Sequence, residues 1–274
     1  MKKWIVICFT AVILVLCYVA FKPAAQQPVV ASAIAPDQPS FKIALEGKYP
    51  PFEYIDSNNQ LVGFNIDLSN ALCKKLAMKC TIDRYEWDDL IPALQNKKAD
   101  AIIATMSITD EREKLVQFTR PYAHVPAAYL ANKNQHIILP VMTKERLAGK
   151  TIGVVQHTTF DDYIKSEFSN SKVSIKHYAD SDALFAGLKS NEINLVFGDS
   201  AVFGEFLRDE QHAKQFAYVG NIIKQDPRLG RGEAIAVAKD ANELKAKLDS
   251  ALAQLIASGE YRELQYKYFV LQIM

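Results

Sequence analysis

ALQNKKADAIIAT, residues 93–105, and GLKSNEINLVFGD, residues 187–199, read alike. Each is the end of a helix, then a polar turn, then an apolar strand. Laid one on the other, Thr105 falls on Asp199, and both stand where a strand leaves its sheet. Ligands of open α/β sheets bind just beyond the carboxyl ends of strands. Two such strand ends in one chain predict two similar lobes with a cleft between them.

The alternation continues outward from both copies. FKIALEG (41–47) is a short apolar strand. FNIDLSNALCKKLAM (64–78) has Leu68, Leu72 and Leu76 at helical spacing, with Ala71 widening the stripe. CTIDRYEW (80–87) is a strand. DDLIPALQNKK (88–98) is a helix with Asp88 as its cap and Pro92 tolerated in its first turn. ADAIIATM (99–106) has the continuous apolar run of a buried strand. This β-α-β-α-β order predicts an α/β fold, each lobe a mainly parallel sheet flanked by helices.

Around the second copy, KTIGVVQH (150–157) is a strand, followed by a helix from about Thr159 to Ser169. KVSIKHY (172–178) is a strand, SDALFAGLKSNE (181–192) a helix and INLVFGDS (193–200) a strand. GRGEAIAVAKD (230–240) is another strand. NELKAKLDSALAQLIASG (242–259) is a long amphipathic helix with Leu244, Leu248, Leu252 and Leu255 as its buried stripe and Gly259 at C′. This last part is expected to rejoin the first lobe. Lobe 1 is then residues 40–124 and 232–274, and lobe 2 is residues 125–231. The chain would cross between them near His124–Val125 and Gly230–Gly232, and two crossings make a hinge.

The bulk numbers fit this picture. Of 274 residues, 49% are hydrophobic and 23% charged, with 32 basic against 31 acidic residues. The scattered basic residues point away from nucleic acid. Lys2 and Lys3 precede an apolar run from Trp4 to Phe21, an export segment. Ala31-Ser32-Ala33 is an A-x-A cleavage pattern, so residues 1–33 read as a signal peptide or, uncleaved, as an N-terminal anchor. Residues 34–39 read as a linker, the end of a flexible Pro-, Ala- and Gln-rich spacer from residue 22.

Outside that segment only Cys73 and Cys80 remain of four cysteines. An exported chain with two close cysteines points to a disulfide, the alternative being two buried thiols. Unbroken helix would hold the pair too far apart, so the helix must end near Met78. No further Cys or His stands at ligand spacing, so no metal is expected.

YPPFEYIDSNNQLVGFNIDLSNALCKKL (49–76), LIPALQNKKADAI (90–102), SITDEREK (107–114), VFGDSAVFGEFL (196–207) and ASGEYRELQYKYF (257–269) together resemble the extracytoplasmic amino-acid-binding proteins of ABC importers. The likeness is to the branch for arginine, or for lysine, arginine, ornithine and histidine, and most of all to arginine-binding members. It spans essentially residues 40–270. It implies a two-lobed, type II periplasmic-binding-protein fold, no catalysis and no cofactor. Cys73 and Cys80 fall where that branch commonly has a disulfide.

The resemblance also implies a ligand site. Arg112 matches the arginine that holds the ligand's α-carboxylate, which a guanidinium meets in two-pronged fashion. A cation in the first turn of a helix otherwise stands at the wrong end of the dipole, unless it pairs with Glu111 or Glu113 at the surface. Asp199 matches the acceptor of the α-ammonium. Thr105 and Ser107 match ammonium and backbone contacts. Thr158 and Thr159 match the second lobe's carboxylate clamp, though both also suit simple N-capping. Tyr49 and Trp87 match two aromatic residues that sandwich the ligand's side chain. Glu46 matches the acid that pairs with a cationic tail and favours a basic ligand. Two positions depart from the pattern. Ala104 stands where serine or another small residue is common, and His157 stands where glycine is common, at the cleft lip, where a solvated loop histidine is expected.

The expected protein is therefore a monomeric periplasmic receptor for L-arginine, or for lysine, ornithine or histidine, serving the membrane subunits of an ABC importer. Two rivals share the fold: a lyase acting on small carboxylic acids, with His157 and Glu46 as its candidate acid and base, and an amino-acid sensor tethered by an uncleaved Trp4–Phe21 helix.

Overall fold

The computed structural model describes residues 40–137, 140–269 and 273. The leader or anchor read at 1–33 and the linker at 34–39 lie outside the described residues. Among the described residues no helix is long and apolar enough to cross a membrane.

The chain opens with β1 (Ser40–Leu45), then a small three-stranded sheet of β2 (Lys48–Tyr49), β3 (Glu53–Ile55) and β4 (Leu61–Val62). There follow α1 (Phe64–Leu76), β5 (Lys79–Arg84), a 3-10 turn at Trp87–Asp89, α2 (Leu90–Gln95), β6 (Ala101–Ser107), α3 (Asp110–Leu115) and β7 (Val116–Ala123). The next stretch is β8 (Ala127–Asn132), β9 (Thr151–Val155), α4 (Thr159–Glu167), β10 (Ser174–Tyr178), α5 (Ser181–Lys189) and β11 (Leu195–Asp199). Then come α6 (Ser200–Phe206), α7 (Glu210–Gln215), β12 (Phe216–Ile223), β13 (Glu233–Ala238), α8 (Asn242–Ser258) and α9 (Glu260–Tyr268).

Two five-stranded sheets result, in the orders β5-β1-β6-β13-β7 and β10-β9-β11-β8-β12. In the first, β1 runs parallel to β5 and β6, while β13 is antiparallel to β6 and β7. The second repeats this, with β9 parallel to β10 and β11, and β8 antiparallel to β11 and β12. Both sheets are thus mixed: a parallel triplet carries the βαβ crossovers, and two antiparallel strands complete it. The antiparallel strands bring the chain in and out. β8 enters the second sheet directly from β7 of the first, and β13 returns from β12 to lie between β6 and β7.

The repeated segments fold identically at their turns. After α2, Lys98 N–H donates to Ala93 O at 2.9 Å, and after α5, Glu192 N–H donates to Gly187 O at 3.0 Å. Lys97 and Asn191 both take left-handed backbone, φ 58° and 59°. The Asp100 carboxylate then accepts from Lys42 N–H, and the Asn194 side-chain carbonyl accepts from Thr151 N–H, each at 2.8 Å. In each copy a short polar side chain fastens the turn to the first strand of its own sheet's parallel triplet.

α1 stops where the cysteines require. Ala77 is left-handed at φ 52°, and Met78 N–H closes onto Cys73 O at 3.1 Å. Cys73 and Cys80 are disulfide-bonded across this corner, with Cα atoms 6.1 Å apart. The start of α1 needs Gly63. At φ 129°, a Cβ there would lie 2.3 Å from the Phe52 carbonyl oxygen. α8 packs on α1 and β7. It buries Leu248, Leu252 and Leu255, while Leu244 at its start is half-buried. Each fully buried leucine contributes about 1.5–3 kcal/mol.

One expected cap is different. Asp88 does not cap a helix: it lies within the 3-10 turn, and α2 begins at Leu90 with no side-chain cap. The Asp88 carboxylate is instead engaged by His157, far along the chain.

Candidate functional site

The carboxyl ends of β6 and β11 open into one cavity. Its wall includes every residue that the resemblance matched to a ligand contact: Glu46, Tyr49, Trp87, Thr105, Ser107, Arg112, Thr158, Thr159 and Asp199. Ala104 lines it too, whereas His157 sits at the rim and not on the wall.

Two of the acids near Arg112 in the chain are paired with another arginine. Thr109 caps α3, accepting from Arg112 N–H at 3.2 Å. Arg231 takes both Asp110 and Glu113 at 2.6 Å. Arg112 is left with no ion pair among the described residues. Its Nη1 donates to Ser107 O at 2.9 Å, and its guanidinium carbon lies 5.4 Å from the centroid of the Trp87 ring. Burial lowers its pKa to about 10, with Asp162 and Glu111 opposing, so it remains a cation at neutral pH.

The acids line other parts of the wall. Asp199 is 3% exposed and caps α6, accepting from Ala201 N–H at 2.7 Å. Its other oxygen accepts from the Tyr49 hydroxyl at 3.4 Å. Burial outweighs these bonds and pushes its carboxyl up to about 7. Glu46 is pushed up to about 7 as well, by burial first; Lys48 lowers it, while Asp180, Glu86 and Asp182 raise it. Neither Asp199 nor Glu46 has an ion pair among the described residues. Tyr49 stacks on Phe52, with ring centroids 5.7 Å apart. Thr158 is the cap of α4, accepting from Asp161 N–H at 3.3 Å and donating to Val155 O at 2.7 Å. Thr159, the first residue of α4, is buried.

The cavity is closed over by contacts between the two sides. Lys48 Nζ lies 3.3 Å from Asp180 Oδ2. Trp87 Nε1–H donates to His157 O at 3.1 Å, and His157 Nδ1 lies 2.7 Å from Asp88 Oδ2. His157 is therefore exposed but not merely solvated. Its φ is 58°, the left-handed region in which glycine is at ease. At the crossings, Glu233 ties one to the other, accepting from Val125 N–H at 3.2 Å. Its carboxyl is pushed up to about 8, chiefly by burial. Gly232 allows the crossings to pass closely, since a Cβ there would fall 2.5 Å from the His124 ring.

Two acids of the cavity wall, Asp180 and Glu53, were not singled out in the sequence. Glu53 is 1% exposed and accepts from Asn65 Nδ2 at 2.6 Å. Burial raises its pKa well above the usual carboxylate range. The available signal was its place between Phe52 and Tyr54, where an acid on an otherwise apolar strand needs a partner. Among the described residues no cluster of His, Cys, Asp and Glu could hold a metal ion.

A family model described as "Bacterial extracellular solute-binding proteins, family 3" matches residues 41–270. The ABC transporter arginine-binding protein 1 of Escherichia coli (strain K12) is 39% identical over 222 residues, 81% of this chain and 87% of that protein. The L-arginine-binding protein of Pseudomonas aeruginosa is 34% identical over 235 residues, 86% of this chain and 89% of that protein. Among solved structures, an ancestral arginine-binding protein bound to arginine matches with a TM-score of 0.77 at 32% identity, over 85% of this chain and 99% of that one. With all of both sheets but Ser40 inside the matched region, this chain belongs to the bacterial extracellular solute-binding proteins, family 3.

Proposed function

We propose that the protein is a monomeric periplasmic receptor that captures L-arginine, or a related cationic amino acid, and hands it to the membrane subunits of an ABC importer. The observation that carries this is the cavity's charge: an arginine and buried acids that, among the described residues, have no ion pairs. A buried charge without a counter-charge is costly. A cationic amino acid supplies one anion and two cations, the complement of Arg112, Asp199 and Glu46.

In this reading Arg112 holds the α-carboxylate, helped by Thr158 and Thr159. Asp199, with Thr105 and Ser107, takes the α-ammonium. Tyr49 and Trp87 flank the side chain, and Glu46 pairs with its cationic end. The moving bodies are residues 40–124 with 232–274, and residues 125–231. Closure is a population shift driven by contacts that exist only when both bodies meet the ligand. The relatives named for arginine support the choice of ligand class.

The test is a thermal-shift panel of all amino acids plus ornithine. A ligand at 100 times its Kd stabilises by about 2.7 kcal/mol. The expected result is a shift with cationic amino acids that disappears for every amino acid in Arg112→Ala. A panel with no shift at all would sink the proposal, and chemical change of a bound ligand would favour the lyase instead.

A further inference from the structure

Thr105 is the strained residue of the cavity. Its φ is 53°, left-handed, and a β-branched side chain is disfavoured there. Strain of this kind persists only where the surroundings impose it. Here they do so through a ring of hydrogen bonds. Thr105 N–H donates to the Tyr122 hydroxyl at 2.9 Å. The Tyr122 hydroxyl donates to Asn65 Oδ1 at 3.1 Å. Asn65 Nδ2 donates back to Thr105 Oγ1 at 2.8 Å. The ring therefore grips the backbone and the side chain of one residue at once.

Each member is fixed from outside. Asn65 and Tyr122 are both fully buried. The second proton of Asn65 Nδ2 goes to Glu53 Oε2 at 2.6 Å, which sets the amide's orientation. The Tyr122 backbone carbonyl accepts from the Tyr261 hydroxyl of α9. All three ring bonds run in the same donor sense, so none of them uses the hydroxyl hydrogen of Thr105. That hydrogen and one lone pair of Oγ1 stay available on a residue that lines the cavity.

We propose that Asn65 and Tyr122 are positioning residues for ligand binding: they hold Thr105 in its left-handed conformation, with its hydroxyl prepared for the group shared by all amino-acid ligands. This rests on the amino-acid-binding reading given above. Neither Asn65 nor Tyr122 lines the cavity, so each acts only through Thr105 and, for Asn65, Glu53. The contribution is preorganisation: the conformational work on Thr105 is done before the ligand arrives.

The test uses the whole protein and isothermal titration with arginine, lysine and glutamine. Tyr122→Phe removes one hydroxyl, and Asn65→Leu keeps the volume but breaks the ring elsewhere. Each is expected to weaken whichever of the three ligands bind, equally, by about tenfold. The double variant should weaken them little further, because a ring once broken has no second link to lose. A purely structural role would lower the melting temperature and leave the Kd unchanged; that result, in variants that fold, overturns the proposal. Hydrogen exchange of ligand-free wild type gives a second arm. The Thr105 amide should already be protected, and exchange at the rate of an open loop overturns a preformed ring even if neither variant folds. If wild type binds none of the three, the amino-acid reading falls, while exchange still decides whether the ring exists.

Discussion

Acidification should erase the preference for a cationic ligand before it erases binding. The Glu46 carboxyl is pushed up to about 7 by burial, against the partial relief of Lys48 and with Asp180, Glu86 and Asp182 adding to the push. It is mostly ionised at pH 8 and protonated at pH 5. Each pH unit below the pKa reduces the ionised fraction tenfold. Between pH 8 and pH 5 the fraction able to pair with a cationic tail falls roughly a hundredfold. Asp199, also near 7, loses its charge over the same range, but in the proposed reading it serves the α-ammonium that arginine and glutamine share. Its effect cancels in the ratio of their affinities. Arg112, at about 10, stays charged throughout. The expected result by isothermal titration at pH 5, 6, 7 and 8 is an arginine-to-glutamine preference that falls by about two decades. In Glu46→Gln the ratio should be small and flat across the range. A wild-type ratio constant to within about twofold would refute the role given to Glu46. Equal loss of lysine and glutamine binding in Glu46→Ala would do so independently.

Two further outcomes follow from features away from the ligand's charges. Replacing Cys73 and Cys80 by serine removes a short closed loop at the end of α1 and should cost about 2.5 kcal/mol in urea unfolding, with little change in Kd. His157→Gly relieves a left-handed non-glycine backbone and should raise ligand-free stability by about 1 kcal/mol. It also removes the contact with Asp88 across the cavity mouth, so ligand release, followed by Trp87 fluorescence in stopped flow, should quicken severalfold. Slower release would contradict the rim assignment.

The sequence and the structure agree best where the information is local. The two copies of helix end, turn and strand match down to the left-handed Lys97 and Asn191 and the bonds of Asp100 and Asn194. The turns themselves lie within about a dozen residues, so pattern alone can carry them, whereas the bonds of Asp100 and Asn194 reach strands 58 and 43 positions earlier. Strand direction is less legible. β13 looks like any apolar strand, and only its long return between β6 and β7 makes it antiparallel. Asp88 shows the same limit: it has the composition of a cap, but a partner about seventy residues away, His157, claims it. Glu53, Asn65 and Tyr122 were invisible as a set for that reason. Their bonds join residues 12, 40 and 57 positions apart. Thr105 was placed on the wall, but its left-handed backbone runs against its own β-branched preference, and no propensity argument would have found it.

Magnitudes also decide what closes the cleft. The rim pairs are exposed or half-exposed: side chains of His157 and Asp88 are 59% and 56% exposed, those of Lys48 and Asp180 27% and 18%. Pairs of this kind contribute roughly 0–1 kcal/mol each. Against them stand Glu46 and Asp199, whose carboxyls move from 4.5 and 3.8 to about 7. At 1.36 kcal/mol per pH unit, that is at most about 3–4 kcal/mol for each acid kept ionised in the empty cavity, relative to a carboxylate in water. The rim is too weak to offset this at neutral pH. A zwitterion with a cationic tail, on the proposed reading, meets both acids and Arg112 at once, and so turns a cost of the empty cavity into attraction. On the proposed reading, the lobes close because the ligand removes a cost that the protein alone cannot remove. The rim contacts then tune how long the cleft stays closed, while the buried charges determine whether it closes at all.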